Sequence, residues 1–306
     1  MKIYTLTLNP AYDVHASAKS LALNCENLAK IESREAGGEG VNISRALCNG
    51  QIPNTAIVVL GKENSDEFKN AISAMECVFL ETEGRIRENL TFHHENGAET
   101  RISFSGFPMD DGILQEVLDN IAIESDTIVT FTGRIPAGVS KNKAKELLKT
   151  LQGKGTRIVL DSKSFTIEDI FEIKPWLIKP NQEEISDYLG CDIETLSQVL
   201  EKATVFTEHG IKNTMVTLGE QGAALLTQDK IYIASCPAID AISTIGAGDS
   251  TIAGFLAGAY AGETAMGCLK TAVSFGTAAC LTAGTLPPEK EDIEKIYTQI
   301  QLTEVT

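Results

Sequence analysis

Short apolar stretches alternate with helical patterns along most of this 306-residue chain, and no other feature of the sequence restricts its fold more. Because a strand, a crossover helix and a second strand pack as a parallel unit, this order predicts an α/β fold with a doubly wound, mostly parallel sheet flanked by helices. The strand-like runs lie at 3–8, 55–60, 127–131, 157–161, 176–178 and 214–218. The helical patterns between them lie at 65–74, 113–121, 141–151 and 196–208.

A pattern between residues 89 and 104 departs from this order. Asn89–His94 and Glu99–Phe104 are strand-like, and the Asn96-Gly97 pair between them is a strong hairpin signal. A hairpin inserted into a parallel α/β chain predicts a small β-strand lid over a site, while a hairpin at the edge of the main sheet is the alternative. After residue 247 we expect helix to the end of the chain, with patterns at 251–261, 266–283 and 289–301.

Charge and composition exclude several classes of partner. The chain carries 42 acidic and 26 basic residues, and this net charge of −16 argues against nucleic acid and anionic membrane surfaces as partners. No apolar stretch approaches the ~18 residues of a membrane span, and the first residues lack the layout of a signal peptide, so we expect a cytoplasmic protein. The seven cysteines include no C-x-x-C pair and are expected to be reduced and mostly buried.

The run Gly246-Ala247-Gly248-Asp249 is the strongest chemical feature. Its small residues leave backbone N–H groups uncovered where a helix is predicted to begin, an arrangement that binds anions. Asp249 then lies where a hydroxyl group attacking a bound phosphate needs a proton acceptor, although a tight turn with a helix-capping acid is the alternative. No G-x-x-x-x-G-K-[ST] sequence is present, and residues 37–42 lack the third glycine of the dinucleotide-binding pattern. P-loop and dinucleotide sites are therefore not supported.

Seven stretches, in this order and spacing, resemble the PfkB family of ribokinase-like carbohydrate kinases, and within it the branch of 1-phosphofructokinase and tagatose-6-phosphate kinase. They are 4–13, 36–46, 87–89, 132–139, 179–184, 216–222 and 246–249. The resemblance implies one ribokinase-like kinase domain over 1–306, with lid strands inserted from roughly 12–35 and 86–106. It implies ATP and Mg²⁺ as cofactors and leaves open a monovalent cation near Ser243. A homodimer through the apolar lid face, with Phe92 and Phe104, is also expected.

The resemblance assigns roles to the matching residues. Asp249 would be the catalytic base beside an anion hole formed by Gly246, Ala247 and Gly248. The predicted substrate-binding residues are Arg87, Arg134, Asp13, Gly37, Gly38 and Asn42. Asn42 is expected to open the helix that follows. The predicted ATP-binding residues are Asn181, Thr217, Gly219, Gly222 and Ser274, and Glu184 would hold magnesium through water. Ordinary alternatives are a turn for Asp13, a solvated strand position for Arg87, a first-turn helix acid for Glu184 and helix packing for Ser274.

The chain departs from the family pattern at three places. Relatives often carry lysine at the position of Glu39, serine at that of Arg134, and a lysine near residues 26 and 27, where this chain has Glu and Asn. Because a carboxylate repels a phosphate group, Glu39 bears directly on the substrate. Arg134 could restore the missing charge by forming a phosphate clamp with Arg87.

We therefore predict an ATP-dependent phosphosugar kinase that transfers the γ-phosphoryl group directly and in line to a ketose phosphate, either fructose 1-phosphate or tagatose 6-phosphate. The residues leave two alternatives open. One is a kinase of a non-phosphorylated sugar or a nucleoside. The other is a non-catalytic sugar-binding sensor on the same fold, because a fold does not by itself imply an activity.

Overall fold

A computed structural model describes residues 1–305 of the chain. Its strands are β1 (Lys2–Thr7), β2 (Ala11–Ala18), β3 (Ala29–Gly37), β4 (Thr55–Gly61), β5 (Cys77–Thr82), β6 (Arg87–His94), β7 (Glu99–Ser103), β8 (Thr127–Thr132), β9 (Arg157–Asp161), β10 (Leu177–Ile178), β11 (Asn213–Thr217), β12 (Ala223–Leu226), β13 (Ile231–Ser235) and β14 (Gln301–Val305). Its helices are α1 (Glu39–Asn49), α2 (Ser65–Ala71), α3 (Gly112–Asp119), α4 (Lys141–Gly153), α5 (Ile167–Ile173), α6 (Gln182–Leu189), α7 (Leu196–Glu208), α8 (Ala247–Tyr260), α9 (Ala265–Ala279) and α10 (Lys290–Tyr297).

Ten strands form the main sheet, in the order β14-β13-β12-β11-β10-β9-β8-β1-β4-β5. The pairs from β11 to β5 are parallel, and β12, β13 and β14 add antiparallel pairs at one edge. Every residue of β8 is buried, as expected for a central parallel strand covered on both faces. The predicted doubly wound, mostly parallel α/β fold is confirmed.

Alternate residues of the central strands enter two different apolar clusters, one on each face of the sheet. Ile3 and Ile128 belong to the cluster built mainly with α1, α8, α9 and α10. Tyr4 and Val129, the next residues of the same strands, belong to the cluster built mainly with helices α2 to α7. Helices therefore cover both faces of the sheet, which leaves its strand ends as the places open to ligands.

The predicted boundaries agree closely with the structure for the best-patterned elements. β9 and α7 have the predicted bounds, 157–161 and 196–208, and β11 begins one residue earlier than predicted. The expectation of helix to the chain end is wrong, because α10 ends at Tyr297 and β14 follows it. β13 would otherwise be an open sheet edge, and β14 supplies partners for its backbone groups while Leu302 packs on the core.

A separate four-stranded sheet, here called the lid sheet, has the order β3-β2-β6-β7. The predicted hairpin forms β6 and β7, so its alternative position at the edge of the main sheet is excluded. Strand register places Asp13, Asn89 and Ser103 in one row across β2, β6 and β7. Because residues in one row share a face, these three polar side chains lie on the same side of the lid sheet.

Within residues 1–305, no helix is long and apolar enough to cross a membrane. None of the seven cysteines is in a disulfide, but only Cys268 is fully buried and Cys25 is exposed. The expectation that most of these thiols are buried is therefore wrong.

Candidate active site

A cavity of about 460 Å³ lies between the lid sheet and the carboxyl ends of the central parallel strands. Its walls come from the ends of β1, β8 and β9, from the first turns of α1 and α8, and from β2, β6 and β7. Open α/β sheets bind ligands at this edge, and the volume suits a small molecule. The predicted site residues among its lining are Asp13, Gly38, Asn42, Arg87, Arg134, Glu184, Gly246, Gly248 and Asp249.

The first turn of α8 presents unpaired backbone donors at the cavity. Gly246 caps the helix at a φ of 79°, in the left-handed region that favours glycine. Ala247 N–H donates to Thr244 O at 3.3 Å, and Ser250 N–H donates to Gly246 O. The N–H groups of Gly248 and Asp249 have no hydrogen-bond partner within residues 1–305. The helix start can therefore hold an anion with two amide groups.

Asp249 lies at this helix start with 9% of its surface exposed. Its Oδ2 atom accepts a hydrogen bond of 2.9 Å from Asn42 Nδ2. Burial raises the pKa of the Asp249 carboxyl to about 7; the Asn42 hydrogen bond opposes this, and the negative charge of Asp161 adds to it. A carboxylate with a pKa near neutral suits the role of a general base.

Asn42 lies three residues further into α1 than predicted. The helix begins at Glu39, so Asn42 occupies its first turn rather than opening it. Asn42 is 8% exposed, and its amide fixes the orientation of the Asp249 carboxylate. We infer that it positions the base, in addition to lining the cavity.

Asp161 and Lys179 form a buried ion pair that the sequence predictions did not assign to the site. Lys179 Nζ lies 3.1 Å from Asp161 Oδ2, and Lys179 is 7% exposed. Burial lowers the pKa of Lys179, but the charge of Asp161 and its hydrogen bond raise it. The pKa of Lys179 is therefore raised overall. A Cβ added to Gly248 would lie 3.2 Å from Lys179 Nζ, which places the cation beside the amides of α8. The position of Asp161, at the carboxyl end of a predicted parallel strand, was the signal that could have found it.

Asn181 and Glu184 form a capping box at the start of α6. Glu184 N–H donates to Asn181 Oδ1 at 2.8 Å, and Asn181 N–H donates to Glu184 Oε2 at 3.1 Å. Helix capping thus explains the N-x-x-E pattern by itself. Glu184 also lines the cavity, where its Oε1 atom lies 3.2 Å from Lys163 Nζ, whereas Asn181 does not line it.

The residues present could hold a magnesium ion through a single carboxylate. Within the described chain no group of three or more His, Cys, Asp or Glu side chains is close enough to hold a metal ion. Glu184 nevertheless supplies one carboxylate at the cavity. Mg²⁺ commonly takes one or two carboxylates and completes its shell with water and substrate phosphates, so this donor set fits it.

Asp13 lies on the inner face of the lid sheet and is 6% exposed. Its Oδ1 atom accepts a hydrogen bond of 2.8 Å from Asn89 Nδ2 and lies 3.7 Å from Arg101 Nη2. A Cβ added to Gly37 would overlap the Asp13 carboxylate. Gly37, predicted to line the sugar pocket, is thus required here to make room for Asp13.

Three arginines, called the arginine cluster below, lie at the cavity: Arg87, Arg101 and Arg134. Arg87 Nη1 donates to Asn89 Oδ1 and to Phe104 O, at 2.9 and 3.0 Å, while its buried Nε has no partner in residues 1–305. Burial lowers the pKa of Arg87, Asp13 raises it, and Arg101 and Arg134 lower it further. Arg101 and Arg134 therefore each lie close enough to repel Arg87, and a dianion bound beside Arg87 would relieve that repulsion.

The predicted ATP-binding residues lie outside the cavity lining. Thr217 is the last residue of β11, Gly219 and Gly222 lie in the turn that follows it, and Gly222 has no room for a Cβ because of Ala234 O. Ser274 is fully buried in α9, where its Oγ donates to Thr271 O at 2.8 Å. With no exposed surface, Ser274 cannot wall an adenine ring, so that prediction is corrected and its role is helix packing.

The sequence profile of the pfkB family carbohydrate kinases matches residues 9–292. The chain belongs to this family. The 1-phosphofructokinase of Escherichia coli strain K12 is 30% identical to it over 277 residues, which are 89% of each protein. Escherichia coli phosphofructokinase-2, solved in complex with substrates and products, matches with a TM-score of 0.92 at 26% identity, over 98% of this chain and 99% of that one. Arabidopsis thaliana ribokinase complexed with ribose and ATP matches with a TM-score of 0.76 at 18% identity, over 96% and 98%, and shows the shared fold alone.

Family membership makes the chain an ATP-dependent carbohydrate kinase with a ribokinase-like fold. The predicted phosphotransferase activity is thereby confirmed. The cavity contains a buried carboxylate, an anion-binding helix start and a cluster of arginines, which are the parts such a reaction requires.

Proposed function

We propose that this kinase transfers the γ-phosphoryl group of ATP to a hydroxyl group of fructose 1-phosphate. The observation that carries the proposal is the arginine cluster in the same cavity as Asp249. In a protein with a net charge of −16, three neighbouring guanidinium groups facing one cavity favour a dianionic phosphate as their ligand. Similarity to proteins named 1-phosphofructokinase supports fructose 1-phosphate in particular.

The geometry supports direct in-line transfer. Asp249 accepts the proton of the attacking hydroxyl group. The oxygen of that hydroxyl group bonds to the γ-phosphorus while the bond from the γ-phosphorus to the leaving ADP oxygen breaks. The free amides of α8 and the nearby Lys179 stabilise negative charge on the transferring group. Magnesium, when bound, neutralises charge on the outer phosphates, and Glu184 would hold it through water.

The sugar would lie between the arginine cluster and Asp249. Asp13, which accepts a hydrogen bond from Asn89, would accept hydrogen bonds from the hydroxyl groups of the sugar. Gly38 lines the same cavity, and Asn42 lies next to the catalytic base Asp249. Asn181, the end of β11 at Thr217 and the turn with Gly219 and Gly222 remain the proposed place for the nucleotide.

Two further proposals come from solved structures of one relative, Escherichia coli phosphofructokinase-2. It has been solved in complex with potassium, which supports a monovalent cation here near Ser243. It has also been solved as a tetrameric inhibited form. Association through the lid sheet, as a homodimer, is our proposal for this chain. A single domain over 1–306 and a cytoplasmic location stay predictions.

The deciding experiment is a panel assay of ATP consumption with purified protein. Fructose 1-phosphate should be the best acceptor, compared with tagatose 6-phosphate, free ketoses and nucleosides. Turnover of free ketoses or nucleosides without turnover of ketose phosphates would contradict the proposal, and no turnover on any acceptor would favour a sensor.

Variants of the arginine cluster test the phosphate-binding part. Arg134→Ser and Arg101→Ala should each raise KM for fructose 1-phosphate roughly tenfold, with little change in KM for ATP, because each removes a charged hydrogen bond to the acceptor. Arg85→Ser is the matched control, since Arg85 is exposed and does not line the cavity. An unchanged KM would remove that arginine from the phosphate site.

A further inference from the structure

A buried histidine on the inner face of the lid sheet has no role in the transfer described above. His15 on β2 is 7% exposed and lies two residues after Asp13, so both side chains lie on the same face of the strand. Its Nδ1 atom lies 2.9 Å from Nε2 of His93 on β6, and the two rings stack with centroids 5.2 Å apart. Nδ1 of His93 in turn lies 3.0 Å from Glu99 Oε1 on β7. Glu99, His93 and His15, here called the histidine chain, therefore connect three strands of the lid sheet.

One end of the histidine chain contacts the loop that joins α9 to α10. Nε2 of His15 would lie 2.8 Å from a Cβ added to Gly284, so the ring packs directly on the backbone of that glycine. The next residue, Thr285, is 6% exposed, and its hydroxyl group donates to Glu35 Oε2 of β3 at 3.4 Å. The lid sheet therefore holds this loop at two neighbouring residues.

The same loop packs against the anion-binding start of α8. Thr285 lines the cavity together with Gly246, the cap of that helix. A Cβ added to Gly246 would lie 3.6 Å from the Cα atom of Thr285, so the backbone of the loop supports the cap. The free amides of Gly248 and Asp249 follow Gly246 almost directly along the chain. Contacts therefore lead from the lid sheet, through the loop, to the amides that bind the anion.

The hydrogen-bond roles in the histidine chain follow from Glu99. An ionised carboxylate only accepts hydrogen bonds, so this contact requires a proton on Nδ1 of His93. Neutral His93 then has a free electron pair on Nε2, which accepts the hydrogen bond from Nδ1 of His15. Both rings therefore carry their proton on Nδ1, and the orientation of the His15 ring depends on His93.

We propose that His15 is a positioning residue: oriented by His93, it fixes the loop at Gly284 and thereby the cap of α8, on which the rate of phosphoryl transfer depends. This inference rests on the proposed function. Because His15 acts through the amides of α8, its loss should lower kcat. KM for fructose 1-phosphate should change by less than about twofold, since Asp13 and the arginine cluster still bind the acceptor.

The kinetic test compares His93→Leu with His93→Gln in the full chain. Leucine breaks the histidine chain, whereas glutamine keeps one acceptor for His15 and one donor for Glu99. We expect His93→Leu to lower kcat about tenfold, because small shifts of groups that bind the transition state are costly, and His93→Gln to restore most of that loss. His94→Leu is the matched control, since His94 is the next residue of β6, points to the opposite face and bonds only to Thr100. An unchanged kcat in His93→Leu, or equal losses in both His93 variants, would overturn the proposal.

A variant of the loop tests the contact from its other side. The methyl group of Gly284→Ala would push against the His15 ring, so this variant should also lower kcat about tenfold. In a His15→Ala background the methyl group has room, and the same change should then cost much less. Alanine at a φ of 57° is strained in both backgrounds, and thermal unfolding measures that effect separately. Equal falls in kcat in the two backgrounds would show that Gly284 does not act through His15.

A direct test does not depend on turnover. The chain has only four histidines, and ¹⁵N chemical shifts of their ring nitrogens report which nitrogen carries the proton. At pH 8, where histidine is ordinarily neutral, both His15 and His93 should carry it on Nδ1, and the His93→Gln spectrum assigns the His93 signals. A proton on Nε2 of His15 would overturn the proposal. Absence of turnover on every acceptor would instead refute the proposed function, and the NMR result would still decide whether the histidine chain forms.

Discussion

At the scale of single residues, the pKa of Asp249 links structure to rate. Burial raises that pKa to about 7, although the Asn42 hydrogen bond stabilises the ionised form. A protonated Asp249 cannot accept the proton of the attacking hydroxyl group. The base is therefore active above its pKa and becomes inactive as the pH falls through about 7.

Asp249→Asn is expected to lower kcat by roughly 10² to 10⁴-fold, because asparagine cannot act as a general base. Binding of the nucleotide, measured by calorimetry, should persist, since the amides of α8 and Lys179 remain. The wild-type kcat should fall tenfold for each pH unit below about 7. A flat rate between pH 5 and pH 8, or an active variant, would show that Asp249 is not the base.

At the scale of elements, the first turns of two helices supply many of the polar groups that line this cavity. α1 contributes Glu39 and Asn42, and α8 contributes Asp249 together with two free amides. Not every cap in the chain is functional, however. Thr166 and Asp169 form a capping box on α5, away from the cavity, and Lys141 and Lys145 of α4 pair with the Asp169 carboxylate at 2.6 and 2.8 Å.

This α4–α5 contact predicts a stability effect. Burial opposes ionisation of Asp169, but hydrogen bonds from Lys141 and Lys145 outweigh it and hold its pKa well below the usual range. A lowered folded-state pKa stabilises the protein above the ordinary Asp pKa of ~3.9, and this contribution is lost as the pH falls towards the folded-state value. Asp169→Asn should therefore cost about 1–2 kcal/mol at pH 7.

Urea unfolding of the wild type and Asp169→Asn at pH 7 and at pH 3 measures this effect. The difference between the two proteins should shrink at pH 3, and turnover at pH 7 should be unaffected because Asp169 is not part of the cavity lining. An equal difference at both pH values would mean that the ion pairs do not contribute.

At the scale of the whole molecule, the lid sheet exposes apolar side chains that its own chain leaves uncovered. Ile31 on β3 is 67% exposed, Ile102 on β7 is 42% exposed, and Phe104 just after β7 is 51% exposed. Phe92, expected with Phe104 on this face, is only partly exposed. A second copy of the chain would cover these groups.

The double variant Ile31→Glu and Phe104→Glu should convert a homodimer to a monomer in sedimentation velocity, because it places charges in an apolar contact. Leu196→Glu is the control: Leu196 is 36% exposed at the first turn of α7, where an acidic residue suits the helix dipole. A monomeric wild type at micromolar concentration would refute association through the lid sheet.

Local patterns in the sequence were enough to predict the α/β class, the bounds of β9 and α7, the hairpin and the helix start at the run from Gly246 to Asp249. Each of these depends on local patterns: apolar periodicity, turn chemistry and small residues before a helix. The tertiary structure was needed to show that Arg101 joins Arg87 at the cavity, that Lys179 pairs with Asp161 beside α8, and that Glu39 lines the same cavity. These contacts join strands and helices far apart in the chain, and strand order and register set them. The same reason applies to Ser274 and β14, because burial and pairing depend on neighbours that local sequence does not specify.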